Sequence, residues 1–414
     1  MEDSQKQEPP SVLKVLEALK QASHDLQNNP SLDSDDSNSS SIKPLLELET
    51  ESDNILSKDP NLSTLSKHLS HLKALVQSLQ SSRARHGLAS FVTRRLTTHS
   101  LSRVAAAIES EIQSWIDRES VECLSRCLRE PSQHNEDELV KLLTQFEDRV
   151  SQGFNRELQD LILKSKLFSS LESVLCNPNI SVSMMIREHS AMAISALIRF
   201  NKDVFVGQVL MGQTIKALIT TMASANSIGV LCSLIRSIKS PLVDEIESNG
   251  QIPKIISFLS SPDLQIRVLA FDCVLEIGYF GRKEAIDAML EQDLIRKLVE
   301  LQRSELGGDL IDLGRFEMDE EDNESENENE KREVSVGRIQ SRIRENSREK
   351  RFMASHPFAS CVARFWVQLE VGEGLRQREK RALKQLILVR VREASASDAE
   401  AATIVAEVLW GSSP

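Results

Sequence analysis

Between Gly250 and Leu301 the apolar residues recur at steps of three and four, and turn-forming residues interrupt them about every ten to eighteen positions. The breaks fall near Gly250, near Pro262, and near Gly278 and Gly281. They mark out three helices in a unit of roughly forty residues, which begins again at Arg282. One such unit cannot bury its apolar face alone, so neighbouring units must stack into one continuous core. This constraint points to an all-α solenoid.

The apolar spacing returns along the chain, at Leu171, Val174 and Leu175, at Leu218 and Ile219, at Ile255 and Ile256, and at Leu298 and Val299. The interval is 37 residues from Leu218 to Ile255 and 43 from Ile255 to Leu298. Within this pattern, Gly250-x-Ile252-Pro253-x-Ile255-Ile256-x-Phe258-Leu259 resembles the second helix of an armadillo repeat. Ile266-Arg267-x-x-Ala270 through Ile277 resembles its long third helix, and residues 282–290 the short first helix of the next repeat. The resemblance implies a right-handed armadillo-like solenoid, with third helices lining a groove for extended peptides; ahead of it, the helical segments from Leu45 to Leu128, long and joined by short links, point to an N-terminal helical bundle. Ala193, Val230 and Ala270 occupy equivalent third-helix positions, where a small side chain lets helices approach.

The bundle is expected over residues 11–152, after a disordered stretch at 1–10 and with a Ser/Asp-rich loop at 30–43. It is similar to the helical domain that precedes the U-box in plant U-box and armadillo proteins. A U-box needs about seventy residues, and between Glu130 and Gln159 there is no room for one. Ubiquitin-ligase activity of its own is therefore not expected. Repeats should occupy 153–304, a disordered acidic and basic insertion 305–354, and further repeats with a cap 355–414, where Trp410 is expected to pack. Phe358 to Leu369 reads as a third helix that completes the repeat begun by residues 282–304.

Family members that carry nuclear cargo place Trp and Asn four residues apart on the third helices. The positions equivalent by resemblance are Ser195 and Arg199, Cys232 and Arg236, and Asp272 and Glu276. None is Trp-Asn, which disfavours an import carrier. The ladder instead sets two arginines toward one end and two carboxylates toward the other, which suits a protein partner of mixed charge.

The formal charge of −12 hides an asymmetry, because residues 331–395 carry 16 Lys/Arg against 7 Glu. The carboxylate run at 317–333 could therefore compete for the arginines. The basic run at 338–351 and Arg376-Gln-Arg-Glu-Lys-Arg381 are interrupted by glutamates, and the second lies on an expected helix where pairing four residues apart should absorb its charge. Nucleic acid is disfavoured as a partner.

His68 with His71, and Cys123 with Cys127, fall short of the three or four ligands a metal site needs. No glycine-rich phosphate loop, nucleophile elbow or zinc-protease motif occurs. No enzyme, metal or cofactor is expected. The six cysteines lie in apolar runs and read as reduced core residues of an intracellular protein, cytoplasmic and capable of nuclear entry. No apolar run reaches the roughly 18 to 20 residues of a bilayer span. Taken together, these features suit a non-enzymatic scaffold or adaptor. The alternatives are a ubiquitin-ligation component that recruits a separate catalytic subunit, and a nuclear regulator acting through its basic segment.

Overall fold

A computed structural model describes residues 16, 20, 21, 23 and 24 near the N-terminus, and residues 63–83, 88–129, 136–177, 182–308 and 351–410. The expected disorder at 1–10, the Ser/Asp loop at 30–43 and the acidic and basic runs between 309 and 350 lie outside the described residues. Every regular element among the described residues is helical. The chain forms two compact units, one of residues 1–130 and 155–167, the other of residues 131–154 and 168–414.

The first unit holds α1 (Ser63–Arg83), α2 (Leu88–Arg129) and, after α3 (Glu136–Ser151) of the second unit, α4 (Arg156–Ser165). At about 1.5 Å per residue, the 42 residues of α2 span roughly 60 Å. Leu65, Leu69 and Leu72 of α1 and Leu101, Ala105, Ile108 and Ile112 of α2 are buried at three- and four-residue steps. They form the seam between the two helices. At its edge Lys20 Nζ donates to Gln113 Oε1 at 2.5 Å, and Gln113 Nε2 to Asp117 Oδ1 at 2.6 Å.

The second unit is a stack of three-helix repeats. Its elements are α5 (Leu167–Cys176) and α6 (Met184–Phe200), then α7 (Lys202–Met211), α8 (Thr214–Lys216, continued by a π turn at Ala217–Met222) and α9 (Ala225–Ile238). Next come α10 (Ser240–Ser248), α11 (Ile252–Ser257, ending in a 3₁₀ turn at Phe258–Ser260) and α12 (Leu264–Phe280). The last are α13 (Lys283–Glu291), α14 (Leu294–Arg303), α15 (Cys361–Val371), α16 (Gln377–Ala394) and α17 (Asp398–Trp410). Helix α3 packs on α6, α6 on α9, α9 on α12 and α12 on α15, so third helices form one continuous row. The order and the stacking are those of an armadillo-like α-solenoid.

Local chemistry sets where the third helices α6, α9 and α12 start. Ser183 accepts from the Ile186 N–H, Ser224 from the Ser227 N–H, and Asp263 from the Gln265 N–H, each satisfying an otherwise orphaned first-turn donor. The turns just ahead of α5, α11 and α14 place Lys166, Gly250 and Asp293 in the left-handed region, at φ 55°, 64° and 53°. The Glu172 carboxylate of α5 accepts from the N–H groups of Gln213 and Thr214 and so caps α8 of the next repeat.

Gly278 is not a break: α12 runs through it to Phe280. A Cβ there would lie 3.1 Å from the Phe365 ring, so the glycine serves the close approach of α15. The chain leaves α14 and returns beside it, with the Phe358 N–H bonded to the Leu306 carbonyl at 3.1 Å and the Ser360 N–H to the Gly308 carbonyl at 2.9 Å. Helix α15 thus lies against α14 and completes the repeat begun by α13. Beyond it, Lys380 is buried and its ammonium donates to the Glu370 and Gly372 carbonyls at 2.7 and 2.9 Å, capping the end of α15.

Candidate functional site

Six side chains ladder across the row of third helices. Arg199, in the last turn of α6, donates through Nη1 to the hydroxyls of Ser195 and Ser233 at 3.1 and 3.2 Å. Its Nη2 lies 3.8 Å from a Glu147 oxygen on α3, so one guanidinium bridges α3, α6 and α9. Arg236 on α9 donates through Nε to Glu276 on α12 at 2.6 Å, and this hydrogen bond raises its pKa. Asp272, one turn before Glu276, has its pKa raised by burial, against the pull of Arg236 and Arg364.

Arg364 of α15 completes the ladder. Its guanidinium lies 4.8 Å from the Phe271 ring centre and donates to the Pro357 carbonyl at 2.7 Å. Burial lowers its pKa. Phe271 meets Phe358 edge-on at 6.2 Å, and Arg267 stacks over Phe358 at 5.8 Å. The seam between α12 and α15 is therefore an interleaved set of two arginines and two phenylalanines.

Of the six positions singled out in the sequence, the structure aligns all six along the row, but at two depths. Ser195 and Cys232 are each 3 % exposed. Ser195 holds Arg199 from beneath, and the fully buried Cys273 of the next helix donates its thiol to the Ile228 carbonyl at 3.6 Å. Arg199 and Arg236 keep 48 % and 56 % of their side chains exposed. The charges do not segregate into a basic and an acidic end. Glu147, Arg199, Arg236, Asp272 with Glu276, and Arg364 follow one another, and most are paired to the next helix.

Sequence reasoning missed Glu147, Ser233 and Arg364. Arg364 carried a signal, since it is the only charged residue from Cys361 to Leu369. The row offers guanidinium donors and carboxylate acceptors held by hydrogen bonds and ion pairs to neighbouring helices. Among the described residues no cluster of three or more His, Cys, Asp or Glu could hold a metal ion. Among them, too, no single helix is long and apolar enough to cross a membrane.

No protein-family model matches the sequence, and no curated protein does. Among solved structures, a designed armadillo repeat protein is similar at 14 % identity, covering 69 % of this chain and 98 % of its own, with a TM-score of 0.40. A designed armadillo repeat protein in complex with the peptide (KR)4 is similar at 16 % identity, with the same coverages and a TM-score of 0.37. An engineered protein matches 97 % of this chain and 98 % of its own at 14 % identity, with a TM-score of 0.41. The armadillo-like assignment rests on the helix order and the stacked row.

Proposed function

We propose that this protein is a non-enzymatic scaffold that binds segments of other proteins along its row of third helices. The observation that carries this reading is the pair Arg199 and Arg236, each half exposed yet anchored by neighbouring helices. Anchored donors lose little rotamer freedom on binding, which favours affinity. Packed helices lie about 8–10 Å apart, and an extended chain advances about 3.3 Å per residue. Each step of the row therefore spans two or three residues of a bound segment. Carboxylates of the segment would pair with Arg199 and Arg236, and its cations with Asp272 and Glu276. Asp272 supports this reading, since a buried carboxylate held partly against its charge gains from a further cation.

The test is proximity labelling in cells, wild type against an Arg199→Gln, Arg236→Gln variant whose fold is verified by circular dichroism and thermal melting. Each charge-assisted hydrogen bond contributes about 1.5–3 kcal/mol, so losing both should weaken binding more than a hundredfold. A defined set of neighbours should disappear in the variant. Neighbours that all persist would move the binding site elsewhere.

A further inference from the structure

Helix α16 is amphipathic twice over. One side buries Leu383, Ile387, Leu388 and Val391 in the solenoid. On the opposite side Ala382, Leu386 and Val389 form an exposed stripe at i, i+4 and i+7, with Leu386 38 % and Val389 48 % in solvent. At about 100° per residue, Arg378, Arg381 and Arg392 fall along one border of that stripe. All three are exposed, and none has an ion-pair partner within 4.0 Å among the described residues. The pairing expected from the sequence does not form: Glu379, the one carboxylate in the run, has Leu375 and Leu383 four residues to either side and accepts from the Arg376 N–H instead.

The stripe has no function inside the fold. The closing helices of a repeat stack ordinarily present a polar outer face, and each exposed aliphatic side chain forgoes burial that a partner could supply. The apolar stripe is one ridge wide, the width that fits the groove of another helix. An interfacial membrane helix needs a broad sector of bulky apolar side chains, and Ala, Leu and Val in single file do not supply it. The unpaired cations fix the sign of what flanks that ridge.

We infer that the outer face of α16 is a second binding surface, separate from the third-helix row, whose occupant is an acidic amphipathic helix of a partner protein. Its apolar residues, spaced three and four apart, pack on Leu386 and Val389. Carboxylates along one edge pair with Arg378, Arg381 and Arg392.

The experiment uses the full chain and a fluorescein-labelled helical peptide of about sixteen residues, with leucines at i, i+3, i+4 and i+7 and glutamates along one flank. Fluorescence anisotropy should show saturable binding that weakens as salt rises. An Arg378→Glu, Arg381→Glu, Arg392→Glu variant and a Leu386→Ser, Val389→Ser variant, each with an unchanged thermal midpoint, should each lose tenfold or more in affinity, about 1.4 kcal/mol. The Arg199→Gln, Arg236→Gln variant should bind as wild type does, which separates this surface from the row. The inference is overturned if the wild type fails to bind, if either α16 variant binds equally well, or if a lysine-flanked peptide binds as tightly. Binding to phosphatidylserine–phosphatidylcholine vesicles through the same residues, without peptide binding, would overturn it in favour of a membrane surface.

Discussion

The third-helix row and the outer face of α16 both present arginines, and they present them in opposite states. In the row each guanidinium is engaged: Arg199 with two serine hydroxyls and Glu147, Arg236 with Glu276, Arg364 with a ring and a carbonyl. On α16, Arg378, Arg381 and Arg392 have no ion pair among the described residues. A paired cation is first a structural part, and binds a ligand only by exchanging or sharing its partner. An unpaired one beside an apolar stripe has no structural role to give up. Charge counted along the sequence does not distinguish the two states.

Substitutions can break or sharpen the contrast. The largest effect is expected where the row's cations rest on aromatic rings. Phe358→Ala should cost about 3–5 kcal/mol in urea unfolding, because it empties a fully buried site that Phe271 and Arg267 line. A cost below about 1 kcal/mol would mean that the α12–α15 seam is loosely packed. Next comes Lys380→Met, which strips a buried ammonium from two helix-terminal carbonyls. It should cost about 1.5–3 kcal/mol. A double-mutant cycle on Arg236 and Glu276 should give a coupling of about 0.2–1 kcal/mol, the range of exposed pairs. Replacing Arg378, Arg381 and Arg392 singly with Gln should change stability by less than about 0.5 kcal/mol. A larger loss would show that those cations serve the fold after all.

Acid titration sharpens the same contrast through two carboxylates. Hydrogen bonding from Arg303 holds Glu400 below the usual carboxylate range, so the stability it contributes is present above the unfolded pKa and lost as pH falls through the folded one. Burial raises Asp272, so its ionised form is unfavourable and stability grows as pH falls through its folded pKa. Urea midpoints followed from neutral pH into the acid range should therefore show Glu400→Gln flattening the acid loss and Asp272→Asn raising stability near neutrality.

The repeat was legible wherever a local signal coincided with a helix end. Pro262 followed by the capping Asp263, and Gly250 at φ 64°, mark boundaries of α12 and α11 that the apolar spacing alone also implies. The turns at Lys166 and Asp293 use the same left-handed geometry without glycine, and no residue type announced them. Trp410, expected to pack, is 78 % exposed at the last turn of α17. Its helix is apolar on more than one side, so composition could not say which side faces in. Nothing in the capped pattern of Glu136 to Val150 says that α3 extends the row onto α6. The site was harder to read for one physical reason. A residue's depth and partner across the row depend on how far each helix is rotated about its axis, and a one-dimensional offset of four residues does not carry that rotation. Ser195 and Cys232 went below the surface, and Arg236 found Glu276 forty residues away.

Proximity labelling across three chains tests the central claim most directly: wild type, the Arg199→Gln, Arg236→Gln variant, and the Arg378→Glu, Arg381→Glu, Arg392→Glu variant. The third-helix row predicts a defined set of neighbours lost from the first variant and retained by the second. An unchanged neighbour set in the first variant, with its fold intact, would contradict a binding role for the row.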